Sequence, residues 1–147
     1  MGSHKILLVE DNPDDVELTM HAFRTSRMAN EIIVARDGED ALAYLFHTEQ
    51  YAERATTEDD LPALVLLDIK LPGISGLDVL RRLRENDRTR RIPVVILTTS
   101  DDQTDIVSGY DLGVNSYIRK PVDFSAFTGV VDQLGLYWLV MNTPSPI

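Results

Sequence analysis

The sequence predicts an α/β domain built on a doubly wound parallel sheet. Apolar runs of strand length alternate along the chain with segments of helical period. Several runs are apolar on successive residues, which is typical of strands covered on both faces. The length of 147 residues fits one domain with one sizeable core. We therefore expect an open sheet between helix layers, with any ligand at the carboxyl ends of the strands.

Five strands and five helices are expected in strict alternation. The predicted strands are residues 5–9, 31–35, 64–67, 94–98 and 116–118. The predicted helices are residues 14–27, 38–47, 77–85, 103–112 and 124–141. Asn12 before Pro13 fits an N-cap followed by proline in the first helical position. Gly113 marks the end of the fourth predicted helix.

The two ends of the chain are predicted to lie outside the domain. Residues 1–4, Met-Gly-Ser-His, look like a start altered by a cloning scar. Residues 5–141 are expected to form the domain and residues 142–147 a frayed tail. No apolar run approaches the roughly 18 residues that span a bilayer, and no signal peptide pattern is present. The expectation is a cytoplasmic protein without a membrane partner.

Composition excludes several classes of site. The chain has no cysteine, so disulfides, zinc–thiolate sites and thiol nucleophiles are ruled out. Its formal net charge of −10 argues against a nucleic-acid partner, because phosphate backbones bind clustered Lys and Arg. The one basic run, residues 81–91, also contains Glu85 and Asp87. It is expected to be a solvated helix end, with a docking patch as the less favoured alternative.

Polar residues lie at the ends of four of the five predicted strands or just after them. The first strand leads to Glu10 and Asp11, the third to Asp68, the fourth ends at Thr98, and Lys120 follows the fifth. Three acids at one sheet edge repel one another unless a cation lies among them. An oxygen-only, partly open set of ligands favours magnesium over a dedicated calcium cage. The sequence therefore predicts a Mg²⁺ site.

This arrangement also suits chemistry at phosphorus. A carboxylate can attack a phosphoryl group if a metal ion and an ammonium offset the charge on the phosphoryl oxygens. Asp68 is the expected acceptor, and Lys120 and Thr98 have suitable side chains. Taken singly, Asp68 also fits an acid that opens a Pro-Gly turn. Likewise, Glu10 and Asp11 could cap the first helix, although Asn12 fits that role well.

Four motifs carry a family resemblance. They are VEDN (residues 9–12), LLDIKLPGISG (66–76), LTTS (97–100) and YIRKP (117–121). In this order they resemble the receiver domain of bacterial two-component response regulators, over residues 5–141. The resemblance implies a flavodoxin-like receiver fold with strand order 2-1-3-4-5. It also implies a magnesium-dependent phosphoacceptor with slow autodephosphorylation, rather than a multiple-turnover enzyme.

The resemblance assigns roles to individual residues. Asp68 would be phosphorylated by a histidine kinase or a phosphotransfer protein. Glu10, Asp11 and Asp68 would hold Mg²⁺, together with the backbone carbonyl of Lys70. Lys70, two residues after the acceptor, places a positive charge at a position that often influences how long the phosphoryl group stays on the acceptor. Thr98 would bind a phosphoryl oxygen and Lys120 would pair with the phosphoryl group. Tyr117 would be the switch aromatic, turning inward as Thr98 moves toward that group. Thr99 departs from the usual Ala or Gly and would narrow access to the acceptor.

The last predicted helix indicates a partner surface. It is apolar around more of its circumference than a helix covering one side of a sheet needs. We expect a two-fold homodimer through this helix and the fifth strand. The candidate partner-surface residues are Tyr117, Phe127, Leu134, Tyr137 and Trp138.

Two further features bear on partners. The long loop 48–62, Lys70 and the aromatic last helix are similar to single-domain regulators that work with bacterial phytochromes. With no output segment recognised after the last helix, the signal is expected to leave through contact with an unknown downstream protein.

Three other classes of protein share parts of this pattern. A flavin carrier needs a phosphate-binding loop after the first strand, but EDNPDD (10–15) is acidic there. An aspartate-based phosphatase usually has a second acid where Lys70 stands. A receiver-like module that only binds partners or dimerises, independently of phosphorylation, remains the alternative.

Overall fold

The computed structural model describes residues 5–25, 31–46, 48, 61–98, 106, 110–114, 116–119 and 129. Their elements follow in the order β1 (Ile6–Val9), α1 (Pro13–Thr25), β2 (Ile32–Ala35), α2 (Gly38–Phe46), β3 (Leu64–Leu67), α3 (Gly76–Glu85), β4 (Val94–Thr98) and β5 (Ser116–Arg119). All five predicted strands and the first three helices are confirmed. Predicted helices 103–112 and 124–141 lie mostly outside the described residues. None of the described helices has the length and apolar character needed to cross a membrane.

The five strands form one parallel sheet with the order β2-β1-β3-β4-β5. This confirms the predicted fold class and strand order. The chain leaves β1 for β2 on one side and reaches β3 on the other side. The topological switch point, where such sheets bind ligands, therefore lies at the carboxyl ends of β1 and β3.

Both faces of β1 and β3 are buried, as their apolar sequences predict. Alternate residues of a strand point to opposite faces. Leu7 and Val9 pack in a cluster with α2 and α3, whereas Ile6 and Leu8 pack in a second cluster with α1. The helical members of these clusters are Ala41, Leu42, Tyr44, Leu45, Val79, Leu80 and Leu83 on one face and Val16, Ala22 and Phe23 on the other.

Side-chain caps set the starts of α1, α2 and α3, and those of α1 and α3 bear on the sequence predictions. The Oδ1 atom of Asn12 accepts hydrogen bonds from the amides of Asp14 (2.9 Å) and Asp15 (3.4 Å), which confirms the cap expected for α1. In α3, Ser75 Oγ accepts a hydrogen bond from the amide of Asp78 (3.2 Å). This cap begins α3 at Gly76, one residue earlier than predicted.

Arg84 contradicts the expectation of a solvated basic run. Its Nε donates to the carbonyl of Leu112 (2.9 Å), and Nη1 donates to the carbonyls of Arg90 (3.0 Å) and Ile92 (2.9 Å). Its Nη2 donates to the carbonyl of Gly113 (2.9 Å). Burial lowers the pKa of the guanidinium from its usual value. Arg84 thus joins α3 to the segments that enter β4 and β5.

Arg88 is also structural, because its Nη1 donates to the carbonyl of Leu45 at the end of α2 (3.0 Å). The other arginines of the run are exposed, as predicted: Arg81, Arg82, Arg90 and Arg91. The prediction of a solvated helix end is therefore wrong for two of the six arginines. These two lie where backbone carbonyls from neighbouring segments come within reach of a guanidinium.

Candidate functional site

The candidate site lies at the switch point, where β1 and β3 run side by side. Val9 and Leu67 are the last residues paired between these strands, and Glu10 and Asp68 follow them directly. The amide of Asp68 donates to the carbonyl of Val9 (3.1 Å), and the amide of Glu10 donates to the carbonyl of Ala35 in β2 (2.9 Å). Both acids are therefore held by sheet-like hydrogen bonds of the backbone.

The structure brings the three acids together. Glu10, Asp11 and Asp68 each offer one carboxylate oxygen, and these oxygens all lie within 4.8 Å of one another. Glu10 is 2% exposed and Asp68 is 6% exposed, while Asp11 faces solvent. One side of the cluster is therefore open, and two of its carboxylates are largely removed from water.

Local backbone amides orient two of these carboxylates. Oε2 of Glu10 accepts a hydrogen bond from the amide of Asn12 (3.3 Å). Oδ1 of Asp68 accepts one from the amide of Lys70 (3.1 Å). Asn12 therefore has two roles, since its side chain caps α1 while its amide contacts the acidic cluster. The predicted contribution of the Lys70 carbonyl to metal binding stays a prediction.

The donor set fits a hard divalent cation. Two like charges 4 Å apart repel by about 1 kcal/mol in water and about 4 kcal/mol at an effective dielectric constant of ~20. Three carboxylates within 4.8 Å therefore cost stability unless a cation offsets them. Carboxylate oxygens without nitrogen or sulfur ligands suit Mg²⁺ or Mn²⁺. Glu10, Asp11 and Asp68 are the residues that would hold such an ion.

The segment after Asp68 folds back onto the strand end. The amides of Leu71 (3.0 Å) and Gly76 (2.8 Å) both donate to the carbonyl of Ile69. Gly73 adopts a positive φ of 76°, which a glycine allows without strain. Sequence reasoning missed the structural part played here by Ser75 and Gly76. The pattern Ser-x-x-Asp at residues 75–78 is a helix-start motif that could have revealed the cap.

The remaining candidate residues are placed by backbone alone or not at all. Thr98 ends β4 and pairs with Arg119, while Tyr117 pairs with Ile96. The strand ends thus bring Thr98 to the same sheet edge as Asp68. The side chains of Thr98 and Tyr117 lie outside the described part of the structure. So do the whole residues Thr99, Lys120, Phe127, Leu134, Tyr137 and Trp138, and their roles stay predictions.

Comparison with known families decides the class of protein. A family model described as the response regulator receiver domain matches residues 6–132. The chain belongs to this family. Receiver domains are signalling modules of two-component systems that receive phosphoryl groups from histidine kinases. The resemblance stated from the four motifs is thereby confirmed.

Individual receiver proteins are similar over nearly the whole chain. The probable methanogenesis regulatory protein FilR2 of Methanothrix harundinacea is 40% identical over 142 residues, covering 96% of this chain and 88% of FilR2. Response regulator Rcp1 of Synechocystis is 37% identical over 134 residues, covering 91% of this chain and 88% of Rcp1.

Solved receiver structures match the fold over nearly the whole chain. The phosphorylated cyanobacterial phytochrome response regulator RcpA superposes with a TM-score of 0.86 at 38% identity, over 99% of this chain and 100% of RcpA. The Mn²⁺-bound form of Rcp1 superposes with a TM-score of 0.83 at 35% identity, over 96% and 98% of the two chains. Receiver domains bind Mg²⁺ or Mn²⁺ at an acidic pocket. In this chain Glu10, Asp11 and Asp68 form an acidic group that could hold such an ion.

Proposed function

We propose that this receiver domain is a magnesium-dependent switch that accepts a phosphoryl group on Asp68 from a histidine kinase. The observation that carries the proposal is the gathering of three carboxylate oxygens within 4.8 Å at the end of β1 and β3. A buried carboxylate on a rigid strand end is suited to attack because its position is set before the donor arrives.

The proposed transfer balances as one displacement at phosphorus. An oxygen of Asp68 forms a new P–O bond while the P–N bond of the donor phosphohistidine breaks, and the departing imidazole keeps the electron pair of that bond. Glu10 and Asp11 would hold the divalent ion together with Asp68, and the Lys70 carbonyl would assist. The ion would offset charge on the phosphoryl oxygens. Thr98 and Lys120 are proposed to contact those oxygens. Tyr117 is proposed to be the switch residue, turning inward as Thr98 moves toward the phosphoryl group.

Radiolabelled phosphoryl transfer tests this proposal. Wild-type protein incubated with a histidine kinase, labelled ATP and Mg²⁺ should become labelled, and the label should not form when the metal is chelated. Asp68→Asn should take up no label, because an amide is not a nucleophile toward phosphorus at neutral pH. Asp87→Asn is the matched control, since Asp87 is an acid with 95% side-chain exposure outside the cluster. Label on Asp68→Asn would contradict the assignment.

Beryllofluoride separates the switch from a module that acts without phosphorylation. With Mg²⁺ present, this phosphoryl mimic should change the Trp or Tyr fluorescence of the wild type but not that of Asp68→Asn. An unchanged wild-type signal, combined with no phosphoryl uptake, would favour the phosphorylation-independent alternative. Slow loss of label in the absence of kinase would fit a phosphoacceptor that turns over once for each signal.

A bacterial phytochrome is the proposed kinase. Support comes from the similarity to RcpA, a phytochrome response regulator. Against it stands the 40% identity to FilR2, which is named for methanogenesis. Labelling by a phytochrome kinase should be faster than labelling by an unrelated histidine kinase, and it should depend on light. Equal rates would contradict this part of the proposal.

A cytoplasmic location belongs to the same proposal, because histidine kinases draw their phosphoryl group from cytoplasmic ATP.

Dimerisation is proposed through β5 and the last predicted helix. β5 supports this because it is an edge strand in the order β2-β1-β3-β4-β5, and an edge can pair with another chain. The signal would then pass by protein contact to a downstream partner. Sedimentation at tens of micromolar, with and without beryllofluoride, should show a dimer in at least one state. A monomer in both states would contradict the proposal.

A further inference from the structure

Gly76, the first residue of α3, lies against the backbone of Asp68. A methyl group at this position would lie 2.0 Å from the carbonyl oxygen of Asp68 and 2.8 Å from its carbonyl carbon. It would also lie 2.7 Å from Cα of Ile69. In real proteins a Cβ atom essentially never comes within 3.0 Å of a heavy atom from another part of the chain. Because the crowding atoms belong to the backbone, no side-chain rotation could relieve the contact.

Backbone conformation gives no other reason for glycine here. Among the described glycines, those with positive φ are Gly73 and Gly113, and Gly76 lies in a helix instead. Alanine is a better helix former than glycine because it loses less backbone freedom on folding. The close approach to Asp68 is therefore what requires glycine at the start of α3.

The contact acts on a backbone already held from the other side. The amide of Asp68 donates to Val9 in β1 (3.1 Å), so its N–H is anchored to the neighbouring strand. The amide of Gly76 donates to the carbonyl of Ile69 (2.8 Å), which closes the segment between them. Any group added at Gly76 must move the Asp68 carbonyl or move α3. Moving the carbonyl shifts the Asp68 carboxylate relative to Glu10 and Asp11.

We propose that Gly76 is a positioning residue for the acidic site: its missing side chain lets α3 rest on the Asp68 backbone and sets where the Asp68 carboxylate stands among the three acids. This inference rests on the proposed role of Asp68 as metal ligand and phosphoryl acceptor. Gly76 itself would touch neither the metal ion nor the phosphoryl group, but it governs the spacing of the residues that do.

Gly38 provides a matched comparison within the same region. It opens α2, is buried, and would place a methyl group 2.6 Å from Cγ1 of Ile74 and 2.9 Å from Cγ2 of Val79. Both contacts are with side chains, and neither involves Asp68. Gly38→Ala therefore perturbs packing beside α3 while leaving the acceptor backbone in place.

Calorimetric titration with Mg²⁺ tests the proposal, with urea unfolding measured on the same samples. Folded Gly76→Ala should bind Mg²⁺ about 10- to 100-fold more weakly than wild type, the usual effect of losing support for a metal ligand. Gly38→Ala should lose stability but keep an Mg²⁺ affinity close to that of wild type. A folded Gly76→Ala with wild-type Mg²⁺ affinity would overturn the proposal, as would equal weakening in both variants.

A second variant decides the matter if Gly76→Ala does not fold. Ser75→Ala removes the hydroxyl that caps α3, so it loosens the first turn of the helix that packs on the Asp68 backbone without adding atoms there. It should weaken Mg²⁺ binding in the same direction by a smaller factor, and an unchanged affinity would overturn the proposal.

The behaviour of the wild type separates the proposed function from the proposed role of Gly76. Mg²⁺ uptake and Asp68-dependent labelling in the wild type uphold the proposed function whatever the Gly76 variants do. Their absence in the wild type overturns both proposals.

Discussion

The carboxyl edge of the sheet, where the parallel strands end, and the amino edge, where they begin, hold charge in opposite ways. At the carboxyl edge, Glu10, Asp11 and Asp68 bring three carboxylate oxygens within 4.8 Å of one another. At the amino edge, the Arg84 guanidinium donates to four backbone carbonyls at 2.9–3.0 Å. The first arrangement sets like charges against one another, and the second surrounds a charge with the negative ends of peptide dipoles.

This difference separates a site kept for function from a contact kept for stability. Arg84 satisfies carbonyls near the starts of β4 and β5, so it holds the amino edge together. The acids at the carboxyl edge cost stability in the absence of a cation. Proteins retain such costs where activity requires them. Neutralising a charge should therefore have opposite effects on stability at the two edges.

The largest expected effect is at Arg84. Arg84→Met keeps an unbranched side chain but leaves the carbonyls of Leu112 and Ile92 without this donor. We expect a loss of roughly 2–4 kcal/mol in the free energy of unfolding, given the usual worth of hydrogen bonds to a charged group. Urea unfolding measures it. Arg82→Met, at an exposed position in the same helix, is the control and should change little.

Arg84→Met should still accept a phosphoryl group at Asp68 under conditions where it is folded. Its partners lie at the opposite edge of the sheet from the acidic cluster, so the acceptor geometry should be preserved. Complete loss of labelling in folded Arg84→Met would show that the two edges do not act separately. Arg84→Lys should restore only part of the stability, because an ammonium cannot reproduce the planar fork.

A smaller effect of opposite sign is expected at Asp68. Without Mg²⁺, Asp68→Asn should raise the free energy of unfolding by about 1 kcal/mol, because it removes repulsion between close carboxylates. With Mg²⁺ at about 100 times its dissociation constant, the wild type should gain about 2.7 kcal/mol and become the more stable protein. Thermal or urea unfolding with and without Mg²⁺ checks this reversal.

Asn12→Ala is the matched control for Asp68→Asn. It removes the cap of α1 while leaving the amide that contacts Glu10. It should lose about 1 kcal/mol in both conditions, because a helix cap does not depend on the metal. If Asp68→Asn is less stable than the wild type without Mg²⁺, repulsion does not govern the acidic edge.

The smallest effect concerns Asp78, an acid outside the cluster. Hydrogen bonds from Arg81 (2.7 Å) and Ser75 (3.2 Å) hold the pKa of Asp78 below its usual value of 3.8. A lowered pKa in the folded state contributes stability that is present above pH 3.8 and is lost as the pH falls through the folded value. Because the pair is exposed, we expect only a few tenths of a kcal/mol.

The pH dependence of unfolding in wild type and Asp78→Asn measures this contribution. The difference between the two proteins should be largest above pH 3.8 and should fade at lower pH. Arg81→Met should remove most of the difference. A difference that grows as the pH falls would have the wrong sign for a stabilised carboxylate.

Much of the carboxyl edge could be predicted from the sequence. Apolar runs such as residues 64–67 identify buried parallel strands, and in a parallel sheet residues that follow strands meet at one edge. Glu10, Asp11 and Asp68 could therefore be placed together without coordinates. The cap at Asn12 was also predictable, because it depends on residues two and three positions away.

The contacts of Arg84 and Gly76 could not be predicted in this way. Arg84 reaches carbonyls 28 and 29 residues along the chain, and in sequence it stands in a run of mixed charge typical of a solvated helix. Gly76 looks like an ordinary loop glycine until α3 is seen against the Asp68 backbone. Periodicity determined the strands, their burial and the edge that carries the acids. Only the tertiary structure decided which charge is satisfied and which backbone is crowded, because both depend on distances between segments far apart in sequence.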